Sequence, residues 1–157
     1  MKTLLLVRHA KTAPAGPSQT DHSRALEEVG ISDAGKLAHF LSEQALVPDK
    51  VLVSSATRTQ STAQILLKAF ESSTIDLLIS DDLYLADVVS LERLVNDTSD
   101  QVNTLMIVGH NPGLSELAYQ FDHAVGGLRP AQMLWVQFDI EHWREAEYAR
   151  VSSTRLV

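Results

Sequence analysis

The chain contains no cysteine among its 157 residues. That absence excludes disulfides, thiolate nucleophiles and cysteine-based metal sites. It also lacks any apolar run near the ~20 residues that a membrane-spanning helix needs. The leading stretch Met1 to Val7 has a trace of signal-peptide character, but its apolar part stops at Arg8, short of the ~7–15 residues of a signal core. Positive charge is scarce: 13 Lys and Arg against 20 Asp and Glu leave a net charge of −7. Without a basic face there is little to release counterions from a nucleic acid, so no nucleic-acid partner and no membrane partner is expected. There is no P-loop, no internal repeat and no low-complexity segment; Gly126-Gly127 marks a turn. With 45% apolar and 21% charged residues, the composition is that of an ordinary globular protein. One domain spanning residues 1–157 with a real core is expected, and a cytoplasmic location is the default.

Strand-like and helix-like segments alternate. Residues 3–8 form a continuous β-type run, as for a strand buried on both faces. A polar loop is expected from Lys11 to about Ile31, long enough to suggest a functional role. Ser32-Asp33 can cap a helix with the stripe Leu37, Phe40, Leu41 and Ala45. Pro48-Asp49 breaks it, and a second strand follows at 50–53. A helix over about Thr57 to Phe70, a strand over Ile75 to Ile79, a helix over Val89 to Asn96 and a strand over 104–108 come next. Asn111 reads as an N-cap and Pro112 as a first helical residue, ahead of the stripe Leu114, Leu117, Ala118 and Phe121. Two strands, Met133 to Phe138 and Glu147 to Val151, close the chain as an antiparallel pair. This pattern predicts an α/β fold of three layers, a mainly parallel central sheet with an antiparallel C-terminal strand, covered on both faces by helices.

Chemistry-bearing residues gather at the strand ends. Arg8-His9 ends the first strand, His110 ends the fourth, and Arg58 lies in the first helical turn after the second. In an open α/β sheet, ligands bind at the carboxyl ends of parallel strands. An arginine at a helix N-terminus opposes the helix dipole, and it makes sense there if an anion sits between it and the free N–H groups. Arg24 lies in the long loop and can fold over the same edge. Two imidazoles and several guanidinium groups at one edge point to phosphate chemistry. Phosphoryl transfer needs mostly positioning and charge neutralisation, guanidinium forks match phosphate bidentately, and imidazole can serve as a covalent nucleophile. Clustered arginines repel a cation, so no metal and no cofactor are expected. His22, His39, His123 and His142 show no metal-like spacing and read as surface or capping groups. Trp135 and Trp143 read as core and edge packing.

Four segments, in their order and spacing, carry a family resemblance: Leu6-Val7-Arg8-His9-Ala10-Lys11, Asp21-His22-Ser23-Arg24-Ala25-Leu26, Ser54 through Arg58 with Thr62-Ala63, and Val108-Gly109-His110-Asn111-Pro112. The chain resembles the histidine phosphatase superfamily, with its phosphoglycerate mutase-like fold, and within it the small SixA-type phosphohistidine phosphatases. The resemblance implies that His9 is the nucleophile and becomes a phosphohistidine. It implies that Arg8, Arg58 and Arg24 bind phosphoryl oxygens and that His110 donates to the phosphoryl group. Asp21 is the first candidate for a general acid, with Asp82 and Asp87 as alternatives. Ser54 and Asn111 are expected in the binding set, and Lys11 either adds charge to the pocket or is solvated. The chain departs from the family pattern at Ala10, where glycine is common, and at Ala25 and Ser55, where proline is usual. These positions shape backbone rather than react.

The resemblance implies a metal-independent phosphatase acting on phosphohistidine or another phosphoprotein. The short length, without large insertions over the site, implies a shallow, open cleft. A small-molecule phosphomonoesterase is the alternative. A non-catalytic phosphate- or phosphoprotein-binding module is the reading from another class, and the joint presence of His9, Arg58 and His110 argues against it.

Overall fold

A computed structural model describes all residues, 1–157. Six strands make one sheet: β1 (Lys2–Arg8), β2 (Lys50–Ser54), β3 (Asp76–Ser80), β4 (Thr104–Gly109), β5 (Met133–Phe138) and β6 (Val151–Leu156). Four α-helices accompany them: α1 (Glu28–Glu43), α2 (Thr57–Leu67), α3 (Val88–Asn96) and α4 (Gly113–Phe121). The strand order is β3-β2-β4-β1-β5-β6. The first four strands are mutually parallel, and β5 runs antiparallel to its neighbours β1 and β6. The expected mainly parallel sheet with an antiparallel C-terminal strand is therefore the observed one.

Alternation along the central strands builds two cores. Leu4, Leu6, Leu52, Leu105 and Ile107 point to the face covered by α3 and α4. Leu5, Val7, Val51, Val53, Met106 and Val108 point to the face covered by α1 and α2. This explains why these strands read as unbroken apolar runs: both faces of the pleat are buried. Each wholly buried leucine contributes about 1.5–3 kcal/mol from the area removed from water. β3 differs. It lies at the edge, and Leu77, Leu78 and Ile79 remain about half exposed.

Several expected boundaries move. Helix α1 begins at Glu28, not after Ser32-Asp33, so the preceding loop is shorter than expected and Ser32 and Asp33 lie inside the helix. Gly30, which reads as a loop residue, sits in the first turn of α1 because that turn presses on the backbone of Lys11. A Cβ there would lie 2.3 Å from the Lys11 carbonyl oxygen. The loop is further tied by a bridge between Thr12 and Leu26. Ala45 lies beyond the helix in a left-handed conformation (φ 51°) and leaves the stripe. Helix α2 ends at Leu67, and a 3-10 turn carries the chain to Phe70.

Asn111 does not cap α4. Pro112 holds the cap position, while the Asn111 amide donates to the Leu128 carbonyl oxygen (2.9 Å) and its oxygen accepts from the Ser115 hydroxyl (2.6 Å). The last strand is Val151–Leu156 and shares only Val151 with the expected Glu147 to Val151. The chain first makes a 3-10 turn around Trp143, which is fully buried and donates its indole N–H to the Val102 carbonyl oxygen (2.7 Å).

Two glycines set how closely the active edge can close. A Cβ at Gly113, the first residue of α4, would meet the Ala86 carbonyl oxygen at 2.1 Å. Gly30→Ala and Gly113→Ala are each expected to destabilise by about 1–3 kcal/mol, because the clash outweighs the ~0.5–1 kcal/mol that alanine ordinarily gains in a helix. Urea unfolding of both variants checks this.

Candidate active site

The register of the parallel strands assembles the site. Arg8 pairs with Gly109, and Val53 of β2 pairs with Val108 of β4. Ser54, Arg8-His9 and Gly109-His110 therefore reach the same level of the sheet edge. The His9 N–H donates to the Gly109 carbonyl oxygen (3.1 Å), and the two imidazole rings lie with centroids 5.4 Å apart, tilted by 57°.

His9 is 9% exposed. Its Nδ1 donates to the Ala10 carbonyl oxygen (2.8 Å). A carbonyl can only accept, so the neutral ring carries its proton on Nδ1 and keeps a lone pair on Nε2. Burial pushes its pKa down to about 4, with Arg58, Arg8 and Arg24 adding to the depression against the opposing Ala10 hydrogen bond. The Ala10 N–H donates to Thr62 Oγ1 (3.0 Å), whose hydroxyl in turn donates to the Arg58 carbonyl oxygen (2.7 Å). These bonds staple the first turn of α2 to the segment after β1.

His110 is held on its other nitrogen. Ser54, wholly buried, shares a 2.7 Å hydrogen bond with His110 Nε2 and accepts at 3.4 Å from the Ala56 N–H. His110 Nε2 is the acceptor that the buried Ser54 hydroxyl reaches, so its proton is assigned there. We assign the tautomer accordingly, with the ring proton on Nδ1. Burial pushes the His110 pKa down to about 3, and Arg58 and His9 add to the shift. Both imidazoles are therefore neutral at pH 7. One offers a lone pair and the other an N–H.

The guanidinium groups surround them. Arg58, in the first turn of α2, is 3% exposed; its Nη1 donates to the Asp21 carbonyl oxygen (2.7 Å) and its Nη2 to Asp21 Oδ2 (3.1 Å). Arg8 donates from Nη1 to the Leu128 carbonyl oxygen (3.0 Å). Arg24 donates to the Ala13 carbonyl oxygen (2.9 Å), to Asp21 Oδ1 (3.1 Å) and to Thr12 Oγ1 (2.5 Å). Arg8 Nε, Arg58 Nε and His110 Nδ1 are buried without a protein partner. Buried donors are almost always paired. Three unpaired ones beside an imidazole lone pair make a site suited to a tetrahedral oxyanion.

Asp21, the expected general acid, lies among the arginines. It accepts from Tyr84, Arg24 and Arg58, and these contacts, Tyr84 foremost, hold its carboxyl well below the usual range. It is a carboxylate anchor for the two arginines. Ser54 is buried behind His110 and orients it. Asn111 spends its amide on Leu128 and Ser115. Lys11 projects outward to pair with Glu27 at 3.5 Å. Asp87 caps α3 by accepting from the Ser90 N–H (2.8 Å), and Asp82 is exposed. His9, Asp21 and His110 do not form a metal-holding cluster.

Tyr84 escapes the sequence reading, and His22 and Ser55, both named there, make a contact it did not foresee. Tyr84 donates to Asp21 and stands edge-on to both His110 and His22. His22 shares a 2.9 Å hydrogen bond with Ser55, the residue standing where the family usually has proline, and its carbonyl oxygen accepts from the Thr57 N–H (3.0 Å). The strand-end rule that found the other residues extends to β3: Tyr84 lies four residues past its end.

The chain is similar to several known proteins. The sequence profile of the histidine phosphatase superfamily (branch 1) matches residues 4–116. A chloroplast protein of Arabidopsis thaliana is 27% identical over 157 residues, covering 92% of this chain and 70% of its own length. A Mycobacterium tuberculosis protein is 35% identical over 113 residues, covering 71% of this chain and 67% of its own. Among solved structures, SixA of Agrobacterium tumefaciens, named for a phosphohistidine phosphatase activity, superposes with a TM-score of 0.84 at 25% identity, covering 98% of this chain and 97% of that one. SixA complexed with tungstate superposes with a TM-score of 0.76 at 18% identity, over 97% and 95% of the two chains, a likeness of fold. The match to the profile spans most of the chain and includes both histidines and all three arginines, so this chain belongs to the histidine phosphatase superfamily.

Proposed function

We propose that the protein is a metal-independent phosphatase working through a phosphohistidine on His9, and that its substrates are phosphohistidine or another phosphoprotein. The observation that carries this reading is the His9 Nε2 lone pair set beside the unpaired donors of Arg8, Arg58 and His110. In the first step Nε2 attacks phosphorus, the N–P bond forms and the bond to the leaving group breaks. Arg8, Arg58 and Arg24 neutralise the oxygens, while the His110 Nδ1–H donates to one of them. In the second step water attacks the phosphohistidine, releasing inorganic phosphate and regenerating neutral His9. The guanidinium groups supply the positive charge that a metal would otherwise bring, and they keep it at any working pH.

The substrate preference follows from the leaving group. Asp21 is held as a carboxylate and cannot give a proton readily. A phosphohistidine already protonated on its distal ring nitrogen leaves as neutral imidazole and needs no enzyme acid. An alkyl phosphate leaves as an alkoxide and does need one. The larger cavities, about 810 Å³ beside residues 139–152 and about 490 Å³ against α4 and residues 125–126, are not lined by His9, His110 or the site arginines.

Three outcomes are expected. Incubation of wild type with a ³²P-phosphohistidine protein in chelator, quenched in alkali, leaves acid-labile label on the enzyme, and His9→Ala shows neither label nor turnover. Turnover by His9→Ala would sink the reading. Across a panel, kcat/KM for phosphoramidate and aryl phosphates exceeds that for glycerol phosphates by about 10² or more, since an unassisted alkoxide is the poorer leaving group. Equal values would point to a small-molecule phosphomonoesterase with its own acid. In the pH profile, the base form of His9 is the active one and its pKa is lowered to about 4, so activity is present above that value. The acid limb of kcat/KM attributable to His9 therefore falls near pH 4 rather than at the ordinary imidazole value of ~6.5. Comparison of profiles for two substrates of different phosphate pKa isolates this limb.

A further inference from the structure

We infer that Tyr84 is a positioning residue of the phosphatase site, acting by clamping Asp21 so that Arg58 and Arg24 are fixed for the phosphoryl oxygens. This rests on the phosphatase reading above.

The clamp is built from contacts to four members of the site. The Tyr84 hydroxyl donates to Asp21 Oδ2 (2.5 Å), the same oxygen that accepts from Arg58 Nη2 (3.1 Å). Its ring stands at 89° to His110 with centroids 5.5 Å apart, and at 70° to His22 at 4.9 Å. The Arg58 guanidinium lies 5.9 Å from the ring centroid. Asp21 is the hub, because its other oxygen takes Arg24 and its carbonyl takes the second Arg58 nitrogen. Asp21 itself is on an exposed loop, with nothing of its own to keep its carboxylate in one rotamer. The hydroxyl of Tyr84 supplies the third direction of constraint.

Tyr84 is well placed to act as a strut because its own backbone is anchored on both sides. Leu83, immediately before it, is buried at 2% exposure. The Ala86 carbonyl oxygen, two residues after it, presses on Gly113 at the start of α4. Between these anchors Leu85 takes a left-handed conformation (φ 51°) and leaves its side chain half exposed. A leucine in that region is strained, and such strain persists where the surroundings over-determine the backbone, commonly at functional sites. Here the turn buries Leu83, seats Ala86 on Gly113 and delivers the tyrosine ring between the His22 and His110 rings.

Without the hydroxyl, Asp21 keeps only its arginine donors. Its carboxylate then rotates more freely, and Arg58 loses the rigid acceptor that aims it. The groups facing this carboxylate are Arg24, Arg58 and Tyr84, with His22 and His110 across the Tyr84 ring, and only Tyr84 among its direct partners is uncharged.

Tyr84→Phe keeps the ring and removes only the hydroxyl. With phosphoramidate as substrate, kcat is expected to fall about tenfold with KM within about threefold, as for loss of preorganisation that is felt in the transition state. Orthovanadate binding, followed by calorimetry, weakens about tenfold in parallel. In an Asp21→Asn background, Tyr84→Phe adds less than about twofold, because the two side chains act as one unit. A Tyr84→Phe enzyme within twofold of wild type in both kcat and vanadate affinity would overturn the inference. So would full additivity with Asp21→Asn. Failure of the phosphatase reading looks different: wild type and His9→Ala would then behave alike on phosphoramidate, while the vanadate comparison still decides the role of Tyr84.

Discussion

The in-register parallel pairing of β1 with β4, and of β4 with β2, is the constraint on which everything else in the molecule rests. It brings Arg8 opposite Gly109 and Val53 opposite Val108, so that Ser54, His9 and His110 leave the sheet at one level. The pairing is fixed by burial on both faces. A slip of one residue would exchange Leu4 and Leu6 with Leu5 and Val7 between two differently shaped cores. Register is thus enforced by packing far from the chemistry, and the chemistry inherits its geometry from the packing.

Electrostatics set the second layer of organisation. The protein carries a net charge of −7, yet it concentrates Arg8, Arg24 and Arg58 around two nearly buried imidazoles. The arginines and burial keep both histidines neutral, which suits a lone pair on one and a donated N–H on the other. Mutual repulsion among the guanidinium groups is relieved by Asp21, which pairs with two of them. A carboxylate in that position serves as counter-ion and spacer. The same bonds that make it a good anchor make it a poor acid.

The polar partners divide the labour by distance from the edge. Ser54 and Thr62 are wholly buried and act on His110 and on the junction of Ala10 with α2. Asn111 ties the start of α4 to Leu128, whose carbonyl oxygen also receives Arg8. The loop carrying Leu128 is thereby held against the site although it contributes no reacting group. His22 and Ser55 replace, with a hydrogen bond, the backbone rigidity that a proline at position 55 would give.

What was legible in the chain follows from what is local. Apolar runs ending in Arg8-His9 and in Gly109-His110 announce buried strands with polar ends. The alternation of strands and helices then dictates a parallel sheet whose carboxyl edge collects those ends. The sequence by itself determined the strand cores, the helix faces and the residues assembled at one edge, because periodicity and strand-end position are properties of short segments. It could not determine that α1 begins at Glu28, since the reason is a glycine pressed against the backbone of Lys11. It likewise gave no sign that Ser54 backs His110, that Asp21 is a clamped carboxylate, or that Tyr84 completes the edge. Each of those depends on pairs of side chains separated by tens of residues, and only the tertiary packing decides which donors and acceptors come within 3 Å of one another.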